Sequence, residues 1–280
     1  MIRRLAIVGV GLLGGSVAKA ARARGVATEI VGVGRDAGRL EAARRDGVLD
    51  RVTTDLASGV RDADVVVLAA PVITILALLE AVAKASGPET IVTDVGSTKR
   101  EIVATAERLG PLRFVGSHPM AGSEKAGYAH ARVDLFHGAT VIVTPGEASE
   151  PAAVKTIVAL WEGVGAARVL TLAPDVHDRA VAAISHLPHL VAFALVDAVE
   201  RFEPGAFDLA AGGFRDTTRI AAADPTMWEE IFLANREAMA AGLGVFREAI
   251  ADLMRLVERG DGAALRAAIA RIKTRREALQ

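Results

Sequence analysis

The run Leu5-Ala6-Ile7-Val8-Gly9-Val10-Gly11-Leu12-Leu13-Gly14 decides how this chain folds. Its first half is a short, unbroken apolar stretch of the kind buried on both faces of a parallel sheet. Three glycines in the spacing G-x-G-x-x-G follow at once, and from Leu12 to Arg24 the apolar residues recur with a helical period. A strand that feeds a glycine turn into a helix N-terminus aims free N–H groups and the positive end of the helix dipole at one point. Gly9 permits the tight turn, Gly11 lets a pyrophosphate come close, and Gly14 lets the helix pack against the strand. With Leu12 and Leu13 opening the helix, these five residues are the candidate seat of a dinucleotide.

Further β/α units extend outward from this turn. Residues 29–33, 64–70 and 90–95 read as parallel strands with helical segments between them. Ala70 and Pro71 end one strand where the adenine-side crevice is expected, because ligands sit beyond the carboxyl ends of such strands. Residues 114–116, 140–144 and 167–172 supply later strands. From Pro174 onward strand signals stop. Helices are expected from Pro174 toward Val199, from an Asp224 cap with Pro225 in the first turn, and over 227–239, 245–257 and 263–278. The fold class is therefore α/β, a Rossmann-type doubly wound parallel sheet over residues 1–172, followed by an all-helical domain over 173–280. A helical half this small and alanine-rich completes its core by pairing with a second copy, so a homodimer is expected.

Composition narrows the function classes. Lys+Arg at 33 against Asp+Glu at 34 gives a net charge of -1, which argues against a nucleic-acid surface. With no cysteine there is neither a disulfide framework nor a thiolate metal site. No apolar run reads as a signal segment or reaches membrane-spanning length, and a cytoplasmic enzyme is expected. The end of the second strand bears on cofactor choice. NAD enzymes usually hold the ribose 2′-hydroxyl there with an Asp or Glu. This chain has Val33-Gly34-Arg35-Asp36, with Gly34 at the acidic position and Arg35 available to a 2′-phosphate. Asp36 lies one bulge away and could still serve NAD. NAD or NADP is expected, with a slight lean to NADP.

Four segments carry polar groups into apolar surroundings. Ser97, in Asp94-Val95-Gly96-Ser97-Thr98-Lys99, follows a strand and either faces the nicotinamide crevice or caps the next helix. His118 sits on a glycine-spaced polar loop, and Pro119 biases it to extended backbone. An imidazole there can take or give a proton near neutral pH. In Ser185-His186-Leu187-Pro188-His189, the two histidines share a helix face, and Pro188 kinks the helix and frees a carbonyl. Substrate contact is the preferred reading over core packing, and both over a metal pair, since a third ligand is lacking and His177 falls on the opposite face of a straight helix. No metal is expected. Gly212-Gly213-Phe214-Arg215-Asp216-Thr217-Thr218-Arg219 reads as a loop with two guanidinium groups that could clamp an acidic substrate. The alternative is that one of them simply pairs with Asp216 or Asp224.

Together these segments resemble the prephenate/arogenate dehydrogenase family of tyrosine biosynthesis, over nearly the whole chain. The matching motifs are Gly9-Val10-Gly11-Leu12-Leu13-Gly14-Gly15-Ser16, Asp94 to Lys99, Gly116-Ser117-His118-Pro119-Met120-Ala121-Gly122, Ser185 to His189, Phe214 to Ala221, and Asp224-Pro225-Thr226-Met227-Trp228. The resemblance implies oxidative decarboxylation of prephenate, a small dicarboxylate, to 4-hydroxyphenylpyruvate with hydride transfer to NAD(P)+. It implies that His118 takes the proton of the ring hydroxyl and that Ser97 holds both hydroxyl and histidine. It further implies that Arg219 binds a substrate carboxylate, that His186, His189, Ser123 and Trp228 line the pocket, and that His177-Asp178 lies near its entrance. Neither an appended regulatory domain nor a preceding chorismate mutase segment is expected, so any feedback by tyrosine would act at the active site. The alternatives are arogenate or dual-substrate cyclohexadienyl dehydrogenase, a β-hydroxyacid dehydrogenase with a lysine proton donor, and a non-catalytic nucleotide sensor.

Overall fold

A computed structural model describes residues 1–123 and 125–279. Strand β1 (Ile2–Val8) runs into helix α1 (Leu12–Ala23), and β2 (Ala27–Val33), α2 (Ala37–Arg45), β3 (Arg51–Thr53) and α3 (Leu56–Val60) follow. Then come β4 (Val65–Leu68), α4 (Val72–Ala85), β5 (Ile91–Asp94), α5 (Arg100–Arg108) and β6 (Arg113–Phe114). These six strands form one parallel sheet in the order β3-β2-β1-β4-β5-β6. The central strand β1 shows why the sheet is doubly wound. Leu5 and Ile7 join a core with Val17 and Ala21 of α1, while Ala6 and Val8 join a second core with Ile75 and Leu79 of α4. Side chains alternate across a strand, so an unbroken apolar strand must be covered on both faces.

The expected strand at 114–116 resolves differently. β6 ends at Phe114, and the chain crosses at Val115 into a second, three-stranded sheet through β7 (Gly116–Pro119). There β7 pairs antiparallel with β8 (Thr140–Thr144), and β8 pairs parallel with β9 (Arg168–Thr171) across α6 (Pro151–Gly163). His118 is therefore a strand residue, in register with Ile142, and not a loop residue. The extended backbone forced by Pro119 is what the strand uses.

The C-terminal half is helical. It comprises α7 (Pro174–Val181), a π-helical turn (Ala182–His186), α8 (Leu187–Phe202), α9 (Gly212–Thr218), a 3₁₀ turn (Arg219–Ala222), α10 (Pro225–Ala234), α11 (Arg236–Glu258) and α12 (Gly262–Glu277). Two local expectations are corrected. The Gly212 segment is helix rather than loop, and the helix expected over 227–239 breaks at Asn235, which is buried with its side chain in hydrogen bonds. Asp224 caps α10 as expected, accepting from the Met227 amide at 2.8 Å. The stretch Pro174–Phe202 is a continuous 29-residue helix, apolar enough by length and composition to cross a membrane, so the expectation that no run reaches that length is also corrected. Its polar residues His177, Asp178, His186 and His189 bond to other protein groups, which makes it a wall of the site described next. Val245, Ile250, Met254, Val257, Ile269 and Ile272 leave apolar surface exposed on α11 and α12.

Candidate active site

The glycine turn is built as its spacing requires. Gly9 has φ +98°, and a Cβ there would lie 2.2 Å from the Ala69 carbonyl oxygen of the next strand's end. At Gly14 a Cβ would lie 2.1 Å from the Gly9 oxygen, so helix and turn touch backbone to backbone. Gly11 is different: nothing lies within 4 Å of the Cβ position. The first amides of α1 therefore face open space, with no side-chain cap on Gly11 to occupy them. That is a cradle a pyrophosphate fits. Leu12 and Leu13 stand at its helix start, and Ala70 and Pro71 at the head of α4, half-buried and exposed respectively.

Gly34 follows β2, and Arg35 beside it is exposed. Asp36 caps α2, accepting from the Arg39 amide at 3.1 Å, and pairs with the Arg39 side chain at 3.3 Å. Its carboxylate is thus already engaged.

Beyond β5 lies a buried polar chain. His118 Nδ1 is 2.9 Å from His177 Nε2, and His177 Nδ1 is 2.7 Å from Asp178 Oδ1. Asp178 also accepts from the backbone amides of Lys99 at 2.7 Å and Arg100 at 3.0 Å, so a carboxylate from the helical half caps α5 of the nucleotide half. Asn235 Nδ2 donates to the Asp178 carbonyl at 2.8 Å and lies 3.1 Å from His186 Nδ1. His177 and His186 are both essentially unexposed, at 0% and 1%. The π turn between them slows the rotation of the helix, so the opposite faces expected of a straight helix become one network. The expected placing of His177-Asp178 near the entrance is corrected accordingly: the pair lies behind His118.

Burial, together with His177, Lys99 and His186, holds the His118 imidazole well below its ordinary range, so it is neutral near pH 7. Burial lowers His186 to about 4. Burial also lowers His189, whose Nδ1 donates to the Ser185 carbonyl at 2.9 Å. The carbonyl that Pro188 deprives of its i+4 amide is that of Ile184, one residue earlier. Asp178 is pulled upward by burial, but hydrogen bonds from His177, Arg100 and Lys99 outweigh this and keep it below the usual carboxylate value.

Lys99 is wholly buried, its ammonium paired with Asp94 and donating to the Ser117 carbonyl at 2.9 Å. Burial pushes its pKa down against the pull of Asp94. It fixes the residue before His118 and has no exposed surface for a substrate.

His189 stacks on Trp228, with ring centroids 3.6 Å apart, and His186 meets the same indole edge-on at 6.0 Å. Arg219 is exposed on the turn after α9, close enough that its charge helps depress His189. Among the described residues neither Arg215 nor Arg219 forms an ion pair, so the expected alternative of pairing with Asp216 or Asp224 is not realised. Ser97 is half-buried between β5 and α5. Lys99, not Ser97, occupies the α5 cap position, and the ring of His118 is bonded to His177. Ser123 lies apart from this network, lining a recess of about 420 Å³ with Leu12, Lys125, His130 and Arg132. No group of three metal-ligating side chains occurs among the described residues. Sequence reasoning missed the parts played by Lys99 and Asn235, and it named Asp178 only for the entrance. Lys99 stood inside a quoted motif, whereas nothing in the sequence singled out Asn235.

Residues 17–170 match the family model for the prephenate dehydrogenase nucleotide-binding domain, and residues 173–271 match that for the prephenate dehydrogenase dimerization domain. A prephenate dehydrogenase of Bacillus subtilis is 40% identical over 82% of this chain, which spans 64% of that relative's length. A cyclohexadienyl dehydrogenase of Zymomonas mobilis is 34% identical, over 91% of this chain and 88% of the relative. The structure of prephenate dehydrogenase from A. aeolicus, in complex with hydroxyphenyl propionate and NAD+, superposes with a TM-score of 0.94 at 34% identity, covering 100% of this chain and 99% of that one.

Proposed function

The chain belongs to the prephenate dehydrogenase family, and from that premise we propose that it converts prephenate to 4-hydroxyphenylpyruvate by oxidative decarboxylation. One observation carries the reading: His118 stands at the end of a strand with its imidazole held neutral, which suits it to accept the proton of a ring hydroxyl. When bound, the nicotinamide accepts the hydride from the carbon bearing that hydroxyl. Residues 1–172 hold the dinucleotide through Gly9, Gly11, Leu12, Leu13 and Gly14, with Ala70 and Pro71 along the crevice. Residues 173–280 close the site and pair with a second copy through the apolar surface of α11 and α12, giving a cytoplasmic homodimer. Arg219 binds a substrate carboxylate, while His186, His189 and Trp228 line the pocket. Ser97 holds the hydroxyl from the β5 side. Ser123 stands at the margin toward the dinucleotide.

At the 2′ end, Gly34 and Arg35 lean toward NADP, but the comparisons lend that lean no support, because the Aquifex complex carries NAD+. The second reading is dual use of prephenate and arogenate, favoured by the likeness to a cyclohexadienyl dehydrogenase. A β-hydroxyacid dehydrogenase reading needs an accessible lysine, and the buried Lys99 cannot supply one.

The test is a spectrophotometric assay crossing prephenate and arogenate with NAD and NADP, repeated with His118→Asn. Reduction with prephenate is expected, with a loss of about 10²–10⁴-fold in the variant. Silence with every pair, or full turnover by the variant, overturns the reading.

A further inference from the structure

We propose that His177 and Asp178 are positioning residues that decide which ring nitrogen of His118 carries its proton, leaving Nε2 bare to receive the substrate's. The proposal deepens the reading of His118 as the base and rests on it. Backbone N–H groups can only donate, and two of them reach the Asp178 carboxylate, Lys99 onto Oδ1 and Arg100 onto Oδ2. Both oxygens are thereby acceptors, and the positive end of α5 meets the charge. His177 Nδ1, 2.7 Å from Oδ1, must then be the nitrogen that carries hydrogen. In an imidazole that carries one ring proton, the other nitrogen is an acceptor. His177 Nε2 is thus a lone pair.

That lone pair lies 2.9 Å from His118 Nδ1, so His118 donates from Nδ1 and keeps Nε2 unprotonated. The two rings meet at 67°, an angle such a bond permits, since an in-plane N–H and an in-plane lone pair leave the rings free to turn about the line between them. When Nε2 takes a proton, the new charge on His118 is shared through His177 with Asp178, as the aspartate of a catalytic triad stabilises its imidazolium. The chain spans both halves of the molecule: Asp178 comes from α7, and the amides that orient it come from the start of α5. Docking of the helical half thus sets the proton of a histidine carried by the nucleotide half.

The test uses protein labelled with ¹⁵N in its histidines, with His118→Asn to assign the His118 ring signals. The expected wild-type spectrum near neutral pH has the His118 proton on Nδ1. In Asp178→Asn an NH₂ in the place of Oδ1 faces His177 Nδ1 and reverses the chain, while the remaining oxygen keeps the Arg100 amide and the Lys99 amide loses its acceptor. His118 should then carry its proton on Nε2, and kcat should fall about 10²–10⁴-fold with KM and dinucleotide affinity little changed. A merely structural role would lower thermal stability and leave the tautomer alone. A wild-type spectrum with the proton on Nε2, or a folded Asp178→Asn that keeps both tautomer and kcat, overturns the proposal. The wild-type spectrum decides by itself should that variant not fold. Full turnover by His118→Asn would instead remove the base reading underneath.

Discussion

Two alanine substitutions two residues apart should fail in opposite ways. Gly9→Ala puts a side chain on a backbone at φ +98°, which costs a non-glycine residue about 1–2 kcal/mol. Its Cβ would also stand 2.2 Å from the Ala69 oxygen, and that segment is tied to the sheet by the Ala69 amide on Val8 at 2.7 Å. Forcing the two apart adds about 1–3 kcal/mol, as overpacking does elsewhere. The sum, about 2–5 kcal/mol, is a large part of the roughly 5–15 kcal/mol that holds a domain folded. Gly11→Ala meets neither obstacle, since its φ is -99° and its Cβ finds no atom within 4 Å. A glycine removed at a compatible site even gains about 0.4–1 kcal/mol through the unfolded chain. Its methyl group, however, stands where a phosphate must approach the α1 amides. Losing one charge-assisted hydrogen bond of about 1.5–3 kcal/mol weakens dinucleotide binding about 10- to 150-fold. Urea denaturation gives the first quantity, read as a shifted midpoint at constant slope, and calorimetric titration with NAD and NADP gives the second. The reasoning fails if Gly11→Ala loses as much stability as Gly9→Ala, or if it binds the dinucleotide as the wild type does.

Three further outcomes are expected. The unfolded chain protonates histidine at about 6.5, whereas folded His186 resists protonation until about 4, so the unfolded state binds the proton first. Stability should therefore decline as pH falls from about 6.5 and finish declining below about 4, by about 2–4 kcal/mol from this group; a flat profile of denaturation midpoints would contradict it. The same direction at His118 should carry the acid limb of the kcat profile below the ordinary imidazole range. Arg219→Ala should raise KM through a loss of about 1.5–3 kcal/mol, and steady-state kinetics with an unchanged KM would refute a carboxylate contact. Lys99→Met strands the Asp94 carboxylate in the interior at a cost of about 3–5 kcal/mol, and a denaturation midpoint equal to wild type would show that the pair is dispensable.

The elements that were legible in the sequence are those whose pattern is local. A buried strand, a glycine turn and a helix start occupy ten consecutive residues, and each constrains the next, so the turn at Gly9 emerged with its geometry as expected. Residues 140–144 were delimited correctly for the same reason, an apolar run between breakers. The strand at 114–116 was not. An apolar run gives no sign of the sheet it enters, and the chain changes sheets at Val115 because its backbone hydrogen bonds continue with β8. The helix over 227–239 failed at Asn235, since a buried asparagine inside an apolar period announces itself only through the partners it meets in space.

The site shows the same division at closer range. His118, His186, His189, Arg219 and Trp228 could be singled out one at a time, because a polar or aromatic group in apolar surroundings is conspicuous wherever it lies in the chain. What could not be read is how they are joined. Asp178 reaches α5 across 79 residues, and His118 reaches His177 across 59. A straight-helix projection placed His177 and His186 on opposite faces, and one π-helical turn reversed that conclusion. The alternative role for Ser97 as a helix cap failed for a related reason: the α5 amides can be satisfied by any well-placed acceptor, and the one that arrives comes from the other half of the molecule. A local rule states what the end of a helix requires without saying which residue supplies it. Here the supplier also bonds the ring that meets His118, so the cap of α5, a contact between the two halves and the His118–His177 pair share a single carboxylate.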